Sequence, residues 1–204
     1  MKQGKDTEKD SRLKLIEAAT PLFAKRGFAA VSIRQLAEAA GVNSAMISYH
    51  FGSKENLYKE VLEQQFFQAL KIVEAVWTKE LTPEERIQCY GRCIGRIHNR
   101  FPYLLSFVHS ELTNPTACFD TVIRKFIPVL YDRLCRIFQG GIEQGQFRSE
   151  LNPAFMAVSL AGIMNFYFII KPLASKMLPP TVAQEENFIE QALKIFLSGV
   201  KPNG

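Results

Sequence analysis

Residues 31–56, VSIRQLAEAAGVNSAMISYHFGSKEN, limit what this chain can become more than any other stretch. Ser32 is a good N-cap, and Gln35 stands three residues on, as a capping box requires. Ile33, Leu36, Ala37 and Ala40 then give one apolar face at helical spacing, and Gly41 supplies a residue that can turn left-handed and stop the helix. Asn43 or Ser44 can cap a second short helix over 45–51, in which Ile47 and Phe51 share a face. Gly52 ends that helix. Ser53 caps the next, with Glu55 favourably placed in its positive first turn. Two short helices joined by a glycine turn describe a helix-turn-helix, whose second helix enters the DNA major groove while the first crosses the backbone. Any helical hairpin would share the glycine turn. The outer face adds a chemical argument: Asn43, Ser44, Met46, Ser48, Tyr49 and His50 carry hydrogen-bonding or flat groups and no carboxylate, which suits a polyanion.

The flanking sequence supplies a frame for this motif. A first helix over 11–26 turns Leu15, Ile16, Ala19, Leu22 and Phe23 inward, Gly27 ends it, and Phe28 packs beyond. Pro21 lies inside it and removes one backbone hydrogen bond. Residues 1–9 are expected to be a disordered, charged tail. The N-terminal segment MKQGKDTEKDSR, residues 1–12, has no apolar core and is not expected to serve as a signal peptide. A long fourth helix over 53–79 buries Leu57, Tyr58, Val61, Leu62, Phe66, Ala69, Val73 and Val76. It carries the DNA-binding unit at one end and enters the rest of the protein at the other, so movement of its far end would shift the recognition helix.

At these residues the chain resembles the TetR/AcrR family of bacterial transcription regulators. The resemblance runs over about 13–58: LFAKRGF at the end of the first helix, then VSIRQLAEAAGV, then ISYHFGSKENLY. It implies that Ser32 and the helix beginning there, with Arg34, touch the DNA backbone. It also implies a recognition helix over 44–50, placing Ser44, Ala45, Met46, Ser48, Tyr49 and His50 at the DNA beside Asn43, and a phosphate contact for Lys54. Ser48 departs from the family, since many members have tyrosine there. The resemblance further implies pairing through the last two long helices, a near-palindromic double-stranded DNA operator, and a small-molecule effector bound between the helices of the C-terminal part.

Beyond the fourth helix only helical periods occur. Thr82-Pro83-Glu84-Glu85 is a strong start signal for a helix reaching about 99, with Ile87, Tyr90, Ile94 and Ile97 inward. Helices are expected over 103–112, 118–144 (kinked at Pro128), 153–170 and 184–198. The longest apolar run, 154–170, is interrupted by Ser159, Gly162 and Asn165 and is shorter than the roughly 20 residues that span a bilayer, so it reads as a buried helix. The last two helices are apolar over more than one face, which in so small a bundle suggests a two-fold partner copy. The fold class is therefore all-α: an N-terminal three-helix helix-turn-helix domain over 1–56, joined through the long fourth helix to a helical ligand-binding and dimerisation bundle over 57–204.

Several residues are candidates for effector contacts: Tyr103, Phe107, His109, Tyr131, Asn165 and Tyr167, with Phe101 and Phe119 as further aromatics. Aromatics at helical spacing serve equally as core. Arg92, Arg96 and Arg100 recur every fourth residue; facing inward, the row would grip a carboxylate or phosphate, and facing water it is a solvated flank. Cys89 and Cys93, one turn apart, would make half of a soft-metal site at most, and buried inert thiols fit as well. His109 and Glu111 point in different directions on a helix and form no catalytic pair.

Composition excludes little and agrees with the rest. The 204 residues carry a net charge of +5, leaning to the start: 10 Lys and Arg against 7 Asp and Glu over 1–60. There is no serine–histidine–aspartate arrangement, phosphate-cradling glycine loop, metal spacing or plausible carboxylate pair, so neither an enzyme nor a cofactor is expected. The four cysteines, Cys89, Cys93, Cys118 and Cys135, suit a reducing cytoplasm and free thiols. The overall expectation is a sequence-specific transcriptional regulator that leaves its operator when an effector binds.

Overall fold

The structure, a computed structural model, describes residues 2–77, 80–177 and 184–202, apart from the side chains of 2–9, 75, 76 and 175. All its described regular elements are helical: α1 Lys2–Arg26, α2 Ile33–Ala40, α3 Ala45–Phe51, α4 Lys54–Trp77, α5 Pro83–Arg100, α6 Leu104–Thr113, α7 Arg124–Glu143, α8 Pro153–Met177 and α9 Gln184–Val200. A π-helical turn, Phe119–Ile123, precedes α7. The chain packs as two compact units. One holds the residues up to Phe67 together with Ser106–Arg124; the other holds Gln68–Leu105 and the residues from Lys125 onward.

In the first unit, Leu15, Ile16, Ala19 and Phe23 of α1 are buried together with Leu36, Ala37, Ile47, Phe51, Leu57, Val61 and Leu62. Burying each large side chain is worth about 1.5–3 kcal/mol, so this cluster fixes the short helices α2 and α3. One expectation is overturned at the start of the chain. α1 begins at Lys2, whereas a disordered tail was expected over 1–9. Once α1 is nucleated by its buried face, adding a residue costs only propagation, and Lys, Gln and Glu propagate a helix well. An Asp10–Lys14 pair spans the first described side chains.

In the second unit, α5 opens with the expected capping box. The Thr82 hydroxyl accepts from the Glu85 amide at 3.3 Å, and the Glu85 carboxylate accepts from the Thr82 amide at 2.8 Å. Ile87, Tyr90, Ile94 and Ile97 are buried as expected. Gly91 and Gly95 of α5 face Leu193 and Ile189 of α9 so closely that an added Cβ at Gly95 would lie 2.5 Å from Ile189 Cδ1. The expected kink at Pro128 takes a different form. Pro128 stays inside α7, and the irregular turn lies upstream, ending next to Arg124, whose carbonyl the proline cannot satisfy. The expected end of α4 near 79 and the side chain of Val76 lie outside the described residues.

The last helices differ most from expectation. α8 continues through Pro172 to Met177 rather than stopping at 170, because one missing hydrogen bond does not end a helix that keeps packing contacts beyond it. Pro153–Ala174 is long and apolar enough to cross a membrane, and only 28% of its most apolar window is buried, so the reading of a helix buried on all sides fails for the single chain. Met156, Ala157, Leu160, Met164, Tyr167 and Ala174 face inward, whereas Phe155, Val158, Phe166, Ile169, Leu173 and Met177 are exposed. α9 buries Ile189, Leu193, Phe196 and Leu197 and exposes Ile195.

The tightest glycine in this unit is Gly141, where an added Cβ would lie 2.2 Å from the Phe147 ring, itself buried against Phe138. Gly141→Ala is therefore expected to lower stability by about 1–3 kcal/mol through overpacking, outweighing a helix-propensity gain of at most about 1 kcal/mol. Urea unfolding of the two proteins measures the difference.

Candidate nucleic-acid interface

The expected capping box of α2 is present. The Ser32 hydroxyl accepts from the Gln35 amide at 3.2 Å, while the Gln35 side-chain oxygen accepts from the Ser32 amide at 2.9 Å. At the other end Gly41 adopts φ 65° and donates to the Ala37 and Glu38 carbonyls. That left-handed residue redirects the chain into α3 at no Cβ cost. Of the two proposed caps for α3, Asn43 is the one used: its Oδ1 accepts from the Ala45 amide at 2.8 Å, while Ser44 makes no side-chain cap bond. Ile47 and Phe51 anchor α3 in the core. The opposite face presents Asn43, Ser44, Ala45, Ser48 and Tyr49 to solvent, with Met46 and His50 half-buried. Ser32 and Arg34 on the neighbouring helix are also exposed. Tyr49 is 66% exposed, a large aromatic surface with its ring centre 5.0 Å from that of His50. No Asp or Glu occurs between Glu38 and Glu55, so residues 39–54 carry no charge that would repel phosphate.

Contacts from distant positions hold this surface, and the sequence did not announce them. His50 Nε2 lies 2.8 Å from the Ser11 hydroxyl of α1. Arg12 pairs with Glu60 of α4 and lies over the Phe51 ring at 5.4 Å, so it braces the end of α3. Asn56 Nδ2 donates to the Phe51 carbonyl at 2.8 Å. The Glu55 carboxyl is held below its usual range by its own backbone amide and the Ser53 hydroxyl, which keeps it ionised at the α4 N-terminus. Lys54 has a structural task beside the expected phosphate contact. Its ammonium donates to the Phe28 and Val31 carbonyls, both at 2.9 Å, and lies 4.1 Å from the Phe28 ring centre.

The effector candidates fall in both units. Phe107 is buried and His109 exposed in the first unit, on different sides of α6 from one another, with Glu111 buried. Phe119 also belongs to the first unit, and the remaining candidates to the second. Arg96 and Arg100, like Arg92, are exposed. Arg92 and Arg96 line a cleft of about 280 Å³ between α5 and α9, which they share with Glu185, Glu186 and Glu190, a balance that does not favour an anion. Tyr131 is exposed and donates to the Ala154 carbonyl at 3.3 Å. Tyr103 is half-buried. Tyr167 stacks on Phe188, ring centres 4.4 Å apart. The Asn165 side-chain oxygen lies 2.7 Å from Nε2 of buried His98, whose pKa burial lowers. Cys93 is buried, which raises its thiol pKa, and its Sγ lies 3.7 Å from the Ile72 carbonyl. Its neighbour Cys89 sits 3.3 Å from an Arg92 nitrogen.

A polar, carboxylate-free short helix held at a fixed angle by a capped partner helix is the working surface of a helix-turn-helix DNA-binding transcriptional regulator. Residues 15–61 match the bacterial regulatory proteins, tetR family. The chain is 31% identical over 140 residues to the probable HTH-type transcriptional regulator YttP of Bacillus subtilis, covering 67% of this chain and 65% of YttP. It is 26% identical over 145 residues to the HTH-type transcriptional repressor KstR2 of Rhodococcus jostii, covering 69% of this chain and 70% of KstR2. Its fold is similar to that of AibR, solved in complex with isovaleryl coenzyme A and operator DNA, with a TM-score of 0.72 at 19% identity over 91% of this chain and 97% of AibR. The chain belongs to the tetR family of bacterial regulatory proteins. These relatives are named as regulators, not enzymes.

Lys54→Ala removes two charge-assisted hydrogen bonds that tie α4 to the segment entering α2. A loss of about 2 kcal/mol in unfolding free energy is expected, in addition to any loss of DNA affinity. Denaturant unfolding without DNA separates the two effects.

Proposed function

We propose that the protein is a homodimeric repressor that binds a near-palindromic operator through α2 and α3 and leaves it when a small molecule binds the helical part over 57–204. The observation that carries this reading is the exposed α3 face, with Ser44, Ser48 and Tyr49 exposed in a stretch, 39–54, that holds no Asp or Glu. Asn43, Ala45, Met46 and His50 complete the reading surface, and Ser32, Arg34 and Lys54 flank it for phosphate. DNA reading belongs to 1–56 and effector binding and pairing to 57–204. Within the latter, half-buried Tyr103 and Asn165 and buried Tyr167 offer the effector polar contacts.

The exposed apolar stripe of α8, with Ile195 of α9, supports pairing with a second copy. An apolar face of that size on a small protein marks an interface, and the inward face of the same helix packs within its own unit, so we read it as a dimer seam rather than a membrane span. Two recognition helices related by a two-fold axis would meet successive major grooves about 34–36 Å apart or somewhat more. α4 runs from Lys54 beside the helix-turn-helix to Trp77 in the second unit. An effector that prefers one setting of α4 lowers operator affinity by the free-energy difference between the two settings. The protein acts in the cytoplasm, without catalytic activity, resident cofactor or metal.

Selection of genomic fragments by the purified protein, at two salt concentrations, tests this. One fragment held about 10³-fold or more above random duplex is the expected result, and equal, salt-sensitive binding to every fragment overturns it. With the selected fragment, Tyr49→Ala is expected to weaken binding by roughly tenfold or more while leaving unfolding unchanged. Phe166→Asp, at a position 59% exposed in the single chain, is expected to give a monomer in light scattering and to weaken the same fragment's binding.

A further inference from the structure

The first unit contains a carboxylate that the DNA-binding surface does not use. Glu111 of α6 is fully buried, at 0% exposure, and among the described residues no cation pairs with it. It is held by neutral donors. The Tyr58 hydroxyl of α4 donates to Oε1 at 2.7 Å, the Thr116 hydroxyl lies 2.9 Å from Oε1 and 3.1 Å from Oε2, and the Thr116 amide donates to Oε2 at 3.1 Å. Thr116 in turn accepts from the Cys118 amide at 3.1 Å, at the entry to the π-helical turn. One carboxylate therefore binds α4, α6 and the start of the next helix. Burial, and then the bond to Glu111, push the Tyr58 phenol far above its ordinary range, so the hydroxyl stays protonated and donates.

Tyr58 connects further towards the DNA surface. Its ring centre lies 5.0 Å from those of both Phe23 and Phe28. Phe28 lies beneath the Lys54 ammonium, which holds the Val31 carbonyl, one residue before the N-cap of α2. The topology gives this chain of contacts a purpose. The backbone passes between the two units three times: after Phe67 within α4, after Leu105 within α6, and after Arg124 where the π-helical turn meets α7. Segment 106–124 lies between the second and third passages, and Glu111 is where it grips α4.

We infer that Tyr58 and Glu111 form a latch that makes segment 106–124 a second input to the helix-turn-helix, transmitting displacement of α6 or of the π-helical turn through Phe28 and Lys54 to the start of α2. The latch deepens the regulatory reading above and rests on it for its purpose, though not for its test. A π-helical turn holds one residue more per hydrogen-bonded ring than an α-turn and is a place where helices readily shift register. Its position at one of the three passages fits that role.

Hydrogen exchange on the full-length protein, without DNA or effector, tests the latch. The proteins compared are wild type, Tyr58→Phe, Glu111→Gln, the double variant, and Thr121→Ala as a control that removes a hydrogen bond in the same segment but outside the latch. Tyr58→Phe and Glu111→Gln are each expected to speed exchange over 106–124 and over 27–36 together, by roughly tenfold, with little further gain in the double variant. Thr121→Ala is expected to leave 27–36 at the wild-type rate. Acceleration confined to 111–118 overturns the inference, since Glu111 is then only a loop brace. Uniform acceleration that includes 15–23 also overturns it, because that is loss of global stability. Failure to select any DNA fragment would overturn the regulatory reading while leaving the exchange result standing, so the two failures are distinct.

Discussion

A helix as short as α3, Ala45–Phe51, has no stability of its own in water, because nucleating it fixes several residues for very few hydrogen bonds. Everything that makes this surface usable is supplied from outside it. Ile47 and Phe51 bury its inner face, Asn43 caps its start, Gly52 turns the chain at its end, and Ser11, Arg12 and Asn56 hold its last turn. Asn43 and His50 thus serve both the fold and the outer face, whereas Ser44, Ala45 and Ser48 are exposed and can be chosen by what they touch. That division explains why a residue as large as Tyr49 can remain exposed without harm to the fold.

The same reasoning runs the other way for α8. Its inward face satisfies the second unit, and the outward side chains at 155, 158, 166, 169, 173 and 177 continue the helical spacing on a surface that stays exposed among the described residues. A solvated helix needs no such stripe. In the proposed dimer it would seat a second copy, and two copies of one reading surface would then require two copies of one half-site.

Much of the fold was legible in the sequence because it is written locally. Ser32 with Gln35, Gly41, and Thr82-Pro83 with Glu85 act over three or four residues, and each appears where its pattern places it. The end expected at 170 was too early, since α8 runs on through Pro172 to Met177, and the irregularity expected at Pro128 falls a turn earlier. The contacts that position the site were not legible, because they join residues far apart: His50 to Ser11, Lys54 to Val31, Tyr58 to Glu111. Helical periodicity tells which residues share a face and is silent on what covers it. For that reason Phe107 and Tyr131 looked alike as effector contacts, yet one is core and the other surface.

Glu111 is a costly choice for a core position. A buried carboxylate loses its hydration, and an apolar side chain of similar volume there would be as stable or more so. What the carboxylate adds is direction: three donors from two segments must arrive at fixed angles, whereas a leucine would accept many. Its strength also limits its role. Moving a two-state protein from 1:99 to 99:1 takes about 5.5 kcal/mol, and a hydrogen bond to a charged group contributes about 1.5–3 kcal/mol. The Tyr58–Glu111 bond is therefore too weak to be the switch and strong enough to be the linkage. In the proposed regulation the driving energy would come from an effector's unequal affinity for the two settings, and the buried bond would decide how faithfully α6 and α4 share the result.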